Sequence, residues 1–219
     1  TLMVTSSGSG EGKTFCSINI ATVFAMSEKK TVIVGLDLRK PKIFDDFNVK
    51  NDIGVVNYLI EQNTLEEVTK KTKIPYLDFI SSGPIPPNPS ELIMGDTMKK
   101  LIEELKDKYD YIILDTPPVG LVTDAVELAS YADVTLYVMR QNFTKKDMIN
   151  LLNNRVGRGE LNNVSIILNG YENKAKYGAG YGYGYGYGYG AYSNGYHEEE
   201  EPKNILLKYY KKLTKKNKN

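Results

Sequence analysis

The sequence predicts an α/β protein, with a mostly parallel sheet covered by helices on both faces and a C-terminal tail of different character. Three observations predict it. Short apolar, β-branched runs alternate with segments of helical spacing through the first 170 residues. Those runs are apolar along their whole length, the pattern of strands buried on both faces. The first run passes through a loop of small residues straight into a helical pattern.

In chain order, Leu2, Met3 and Val4 form the first strand. Residues 15–27 read as a helix, with Ile18, Ala21, Thr22 and Ala25 at helical spacing. Residues 31–36 are a strand that ends in Asp37-Leu38-Arg39-Lys40-Pro41, where Pro41 stops regular structure. Short helices are expected over 52–61 and 64–71, and a third strand over 76–81. The run Gly83-Pro84-Ile85-Pro86-Pro87-Asn88-Pro89 is a stiff loop, and Ser90 is expected to cap the helix that follows. Residues 98–108 form an amphipathic helix and 111–114 a fourth strand. A helix over 124–131, a strand over 134–140, a helix over 145–155 and a sixth strand over 164–168 complete the alternation. That last strand ends at Asn169.

Composition bounds the class. The chain has 219 residues, 41% of them hydrophobic, enough for a real core. A formal net charge of +1 gives no overall field to attract nucleic acid. The one cysteine, Cys16, allows neither an internal disulfide nor a cysteine metal cluster, as expected of a cytosolic protein. No apolar run approaches the ~20 residues of a membrane helix, and no secretion signal is legible. The chain opens almost on its first core strand, so it reads as a piece of something longer.

The stretch Ser6-Ser7-Gly8-Ser9-Gly10-Glu11-Gly12-Lys13-Thr14 carries the chemistry. Its glycines let backbone N–H groups turn inward around an anion, and the following helix N-terminus adds partial positive charge there. Lys13 would reach the β- and γ-phosphates of a nucleotide, and the Thr14 hydroxyl would hold Mg²⁺. Ser7 stands where the commonest form of such a loop has its first glycine. In a parallel sheet all strand ends of one kind lie along one edge. The second and fourth strands therefore bring Asp37 and Asp115 to this loop. Asp115 would hold Mg²⁺ through water. Asp37 could be a metal ligand, the base for an attacking hydroxyl, or a turn cap. Arg39 and Lys42 could steer a hydroxyl or a product phosphate, or be solvated charges or subunit contacts.

Three stretches resemble the bacterial tyrosine kinases, cytoplasmic autokinases of capsule and exopolysaccharide assembly. They are Ile33-Val34-Gly35-Leu36-Asp37-Leu38-Arg39-Lys40-Pro41, resembling the Walker A′ motif; Gly83 through Leu92; and Asp110 through Ala125, whose Asp115 is in the Walker B position. The resemblance runs from Leu2 to about Gly170 and implies a P-loop NTPase fold for residues 1–170. It implies ATP and Mg²⁺ as ligands, with Lys13, Asp37 and Asp115 catalytic and Thr14, Asp37 and Asp115 around the metal. Gly8, Ser9, Gly10, Glu11, Gly12, Lys13, Thr14 and Phe15 would bind ATP. Asn169 would contact the adenine edge or serve a turn. It implies further a ring-like homo-oligomer, a membrane co-polymerase segment fused upstream or supplied as a separate activator, and a cognate tyrosine phosphatase. The location implied is the cytoplasmic face of the bacterial inner membrane. Two departures stand out. The family commonly has aspartate at both positions held here by Gly35 and Asp37. Its oligomerisation motif lies upstream of the phosphate loop, before this chain begins. Gly8 stands where the related partition ATPases carry an extra lysine, and this favours the kinase branch.

From Tyr171 the composition changes. Tyr177, Tyr181, Tyr183, Tyr185, Tyr187, Tyr189, Tyr192 and Tyr196 alternate with glycine and other small residues over a stretch assigned to 171–201. Such a repeat has no aliphatic residues for a core, so a flexible tail is expected, either a substrate array for a tethered kinase or a sticky low-complexity segment. About a dozen residues beyond Asn169 would span roughly 20 Å. Residues 202–219 form a basic segment that could touch an anionic surface or remain solvated. His197, the sole histidine, has no partner for a metal site. Two other functions compete with autokinase: a nucleotide-switched scaffold of the partition type, and a non-catalytic module with a degenerate site, which Gly35 would favour.

Overall fold

The computed structural model describes residues 1–172. The expectations for the tail, including all eight phosphorylation tyrosines and the basic segment, lie outside the described residues. The strands are β1 (Leu2–Ser6), β2 (Thr31–Gly35), β3 (Thr69–Lys71), β4 (Leu77–Ile80), β5 (Tyr111–Asp115), β6 (Val134–Arg140) and β7 (Val164–Asn169). They form one seven-stranded sheet in the order β3-β4-β2-β5-β1-β6-β7. All pairs are parallel except β3 with β4.

The central strands are buried on both faces, and alternate residues go to opposite cores. Val32, Val34, Ile112 and Leu114 join the first cluster. They pack there with Met98, Leu101, Ile102 and Leu105 of the helix Asp96–Lys108 and Ala125 and Leu128 of the helix Asp124–Ala129. Val4, Ile33, Ile113 and Val138 join the second cluster, covered by Cys16, Ala21 and Ala25 of α1 (Lys13–Met26). Phe24 of α1 stacks on Tyr111 with ring centroids 3.9 Å apart. This two-sided burial explains the continuous apolar runs.

Four details differ from expectation. The helix expected over 64–71 is only a short turn of helix, Leu65–Val68, opened by a capping box in which Thr64 Oγ1 accepts from Glu67 N and a Glu67 carboxylate oxygen from Thr64 N. Thr69–Lys71 then leaves the helix and pairs antiparallel with β4. It is an edge strand, where lysines are tolerated. The helix over 52–61 shrinks to Val55–Leu59, because Gly54 lies tight against the end of β4, where a Cβ would stand 2.1 Å from the Ser81 carbonyl oxygen. A short helix at Ile43–Asp46 follows Pro41. Ser90 does not cap: it sits inside the helix Pro89–Met94, flanked by Asn88, and its hydroxyl bonds Asp124 instead.

Candidate nucleotide site

The loop between β1 and α1 takes its shape from glycines and from one buried acid. Gly10 and Gly12 have φ of 85° and 96°, the left-handed region in which glycine has no Cβ penalty. No side chain caps the start of α1, so its orphan N–H groups and the helix dipole are directed to whatever anion the loop receives. Glu11 is 2% exposed. It accepts from Gly8 N at 2.7 Å and from the Thr144 hydroxyl. Ser7, at the position of the usual first glycine, is buried and held by the Tyr137 hydroxyl at 2.9 Å.

Ser9, Gly10, Gly12, Lys13, Thr14, Phe15, Asp37, Arg39, Lys42 and Asp115 line one cleft of about 370 Å³. Lys40, Thr116, Pro117, Pro118, Leu121 and Val122 complete its walls. Among the residues expected at the site, Gly8, Glu11 and Asn169 are not on this lining.

Register brings Asp115 to the loop. Val4 and Gly35 both pair with it, so the end of β5 lies between the ends of β1 and β2. Its carboxylate accepts from Thr14 Oγ1 at 2.9 Å and lies 2.9 Å from Ser17 Oγ. Burial pushes its pKa up to about 6, against the bonds to Thr14 and Ser17 and the Lys13 charge, which lower it. Burial likewise lowers the pKa of the Lys13 ammonium, opposed by Asp115, Asp37 and Glu11. Both groups are under-compensated. An added anion for Lys13 and an added cation for Asp115 would relieve both, so the donor set fits a metal-bound polyphosphate. Among the described residues no group of three or more acidic, cysteine or histidine side chains is placed to hold a metal.

Asp37 lines the cleft and also accepts from Lys40 N at 3.0 Å, so its turn role is present beside any other. Arg39 is held by Asp124 and Ser90. Asn169 Nδ2 donates to the Glu11 carbonyl at 2.9 Å, and its Oδ1 accepts from Gly170 N at 2.8 Å. Arg140 donates to the Gly10 carbonyl at 3.2 Å, and Phe143 packs beside Gly10. Sequence reading missed Ser17, Thr144, Arg140, Phe143 and Asp124. Only Ser17 carried a signal: three residues after Thr14 on a helix, it shares Thr14's face.

A glycine-shaped anion loop opening a helix, with a lysine, a hydroxyl and two strand-end carboxylates around one cleft, defines a nucleotide-binding domain of the P-loop type. Residues 1–158 match the AAA domain family. Tyrosine-protein kinase YwqD of Bacillus subtilis (strain 168) is 38% identical over 146 residues, covering 67% of this chain and 62% of that protein. Tyrosine-protein kinase CpsD of Streptococcus agalactiae is 34% identical over 179 residues, covering 81% and 78%. Among solved structures, the kinase domain of the Escherichia coli tyrosine kinase ETK superposes with a TM-score of 0.75 at 35% identity, covering 83% of this chain and 71% of that one. The chain belongs to the bacterial tyrosine kinase family. It spans less than two thirds of YwqD and about a quarter (24%) of full-length Etk. No helix among the described residues is long and apolar enough to cross a membrane.

Proposed function

We propose that this chain transfers the γ-phosphoryl group of ATP to tyrosine hydroxyls, those of Tyr177, Tyr181, Tyr183, Tyr185, Tyr187, Tyr189, Tyr192 and Tyr196 in a neighbouring copy. The observation that carries the reading is the meeting of Lys13, Thr14, Asp37 and Asp115 in one cleft. Thr14 and Asp115 would hold Mg²⁺, which supplies neutralisation of phosphate charge. Lys13 and the loop N–H groups bind the phosphates and stabilise charge on the oxygens of the transferring group. The tyrosyl oxygen forms a bond to the γ-phosphorus as the bond to the β,γ-bridging oxygen breaks, leaving ADP. Tyrosine has a pKa near 10, so its proton must be taken up, and Asp37, on the lining of the cleft, would accept it. Pro117, Pro118, Leu121 and Val122 give the same cleft an apolar wall that suits an aromatic acceptor.

By family, the activity serves capsular or extracellular polysaccharide synthesis at the cytoplasmic face of the inner membrane. The chain works there within a homo-oligomer, with a membrane co-polymerase partner and a phosphatase that resets it. Each phosphate adds about −1.5 to −2 charges, so a modified cluster drives apart an assembly that the unmodified one helps to hold. Mixing two variants tests the proposal. A copy with all eight tyrosines changed to Phe, given Mg-ATP, phosphorylates a Lys13→Met copy that keeps them. Absence of phosphate on the Lys13→Met copy rejects transfer between copies.

A further inference from the structure

Arg39 lies two residues beyond Asp37 on the lining of the same cleft, and its guanidinium is engaged by Asp124 and Ser90. Nε donates to Asp124 Oδ2 at 2.6 Å and Nη2 to Oδ1 at 3.1 Å, a forked pairing of two planar groups. Nη2 also donates to Ser90 Oγ at 2.9 Å, and Ser90 Oγ donates to Asp124 Oδ1 at 2.7 Å. Asp124 is 1% exposed. Burial alone would raise the Asp124 carboxyl pKa. The bonds from Arg39 and Ser90 outweigh burial and hold it below the usual carboxylate range.

Three segments meet at this pair. Arg39 comes from the loop that carries Asp37. Asp124 closes the loop that begins at Asp115. Ser90 lies just after the proline-rich loop. The Asp115 loop is itself fastened to the strand that feeds the phosphate loop. Thr116 N donates to the Val4 carbonyl at 3.2 Å, Val119 N to the Ser6 carbonyl at 3.0 Å, and Thr5 Oγ1 to the Pro117 carbonyl at 2.9 Å. Gly120 lies so close to Ser7 that a Cβ would stand 2.2 Å from its carbonyl oxygen. Residues 116–120 are therefore fastened to β1 and to Ser7 just after it, and the chain runs on from there to Asp124. Arg39 ties the loop after β2 to that segment.

We propose that Arg39 and Asp124 are positioning residues. Their pairing sets where the Asp37 carboxylate stands relative to a phosphoryl group held by Lys13. Arg39 then acts through Asp37 and does not itself steer the acceptor hydroxyl. The inference rests on the phosphotransfer reading above for its catalytic consequence and on geometry alone for its structural one.

The test uses the full chain with Arg39→Met, Arg39→Lys, Asp124→Asn and the Arg39→Met/Asp124→Asn double variant. Three quantities are measured: fluorescent-nucleotide affinity, the rate of phosphate transfer at saturating ATP, and amide hydrogen exchange of segments 37–42 and 8–16. In Arg39→Met, transfer falls roughly 10–100-fold, because small misplacements of reacting groups cost that much. Nucleotide affinity stays within about twofold, and exchange rises about tenfold over 37–42 but not over 8–16. The double variant is no slower than the slower single one, since the pair acts as one unit. Arg39→Lys, which keeps one contact, recovers part of the rate. Unchanged exchange over 37–42, a loss of nucleotide affinity matching the loss of rate, or multiplying defects in the double variant would each overturn the proposal. Absence of transfer in the unmodified protein would reject the kinase reading, and the exchange measurement would still decide the positioning role.

Discussion

Thr14 Oγ1 donates to Asp115 Oδ2 at 2.9 Å, a bond between residues 101 apart in sequence. It joins the end of the phosphate loop to the end of β5 and marks the point where a cation would enter. With only hydroxyls and a nearby lysine as partners, the buried carboxylate has its pKa raised from 3.8 to about 6.

That shift gives a signed pH dependence. The folded protein binds a proton at Asp115 more tightly than the unfolded chain does. The contribution to stability is therefore full below about pH 4 and is lost as pH rises through about 6. Asp115→Asn removes the buried charge while keeping a side-chain oxygen for Thr14. It raises the melting temperature of the nucleotide-free protein at pH 7.5 by about 5 °C and flattens its slope between pH 4 and 7. Thermal unfolding across that range checks both, and the variant should no longer bind nucleotide in a metal-dependent way.

Gly12 is fixed by conformation and by crowding. With φ at 96°, a side chain there is strained, and its Cβ would fall 2.1 Å from Asn169 Nδ2. Gly12→Ala costs roughly 1–3 kcal/mol of stability and abolishes nucleotide binding. Adding Asn169→Ala removes the collision but not the strain, so chemical denaturation of the double variant shows only partial recovery.

Gly35 stands where the sequence resemblance implies the first of two aspartates, and the space for that side chain is filled. A Cβ there would stand 2.8 Å from Ile43 Cγ2 and 3.0 Å from Ser82 Oγ, while Ser82 Oγ donates to the Gly35 carbonyl at 2.9 Å. Gly35→Asp therefore does not restore a missing ligand. It lowers stability by about 1–3 kcal/mol, as overpacking does, and leaves phosphate transfer no faster. A faster variant of unchanged stability would contradict this.

Ser17 Oγ stands 2.9 Å from Asp115 Oδ1, on the side of the carboxylate away from Thr14. Ser17→Ala removes a group that orients the carboxylate that would hold a metal. Its expected effect is roughly 10–100-fold weaker metal affinity in the presence of nucleotide. Titration with Mn²⁺ checks it.

Sequence made the sheet legible wherever strands are buried on both faces, because Val32 through Val34 and Ile112 through Leu114 must be apolar at every position. It hid β3, since Thr69-Lys70-Lys71 has no apolar pattern and becomes a strand only by pairing with β4. The meeting of Lys13, Thr14, Asp37 and Asp115 in one cleft was legible because parallel strands end at one edge. The supports were not. Thr144 reaches Glu11 across 133 residues, Asn169 reaches it across 158, and Arg39 reaches Asp124 across 85. Nothing local marks such pairs. Ser90 was misread because its local context, just after Asn88-Pro89, matches a cap, while its hydroxyl bonds to a carboxylate 34 residues away.

The most direct measurement is mass spectrometry of the chain after incubation with Mg-ATP, beside a Lys13→Met control. Phosphate on tyrosines between Tyr177 and Tyr196 in the unmodified chain, and none in the control, is the result expected. Phosphate that persists in the control, or nucleotide binding with no tyrosine modified, would contradict the assignment of this cleft as the seat of phosphate transfer.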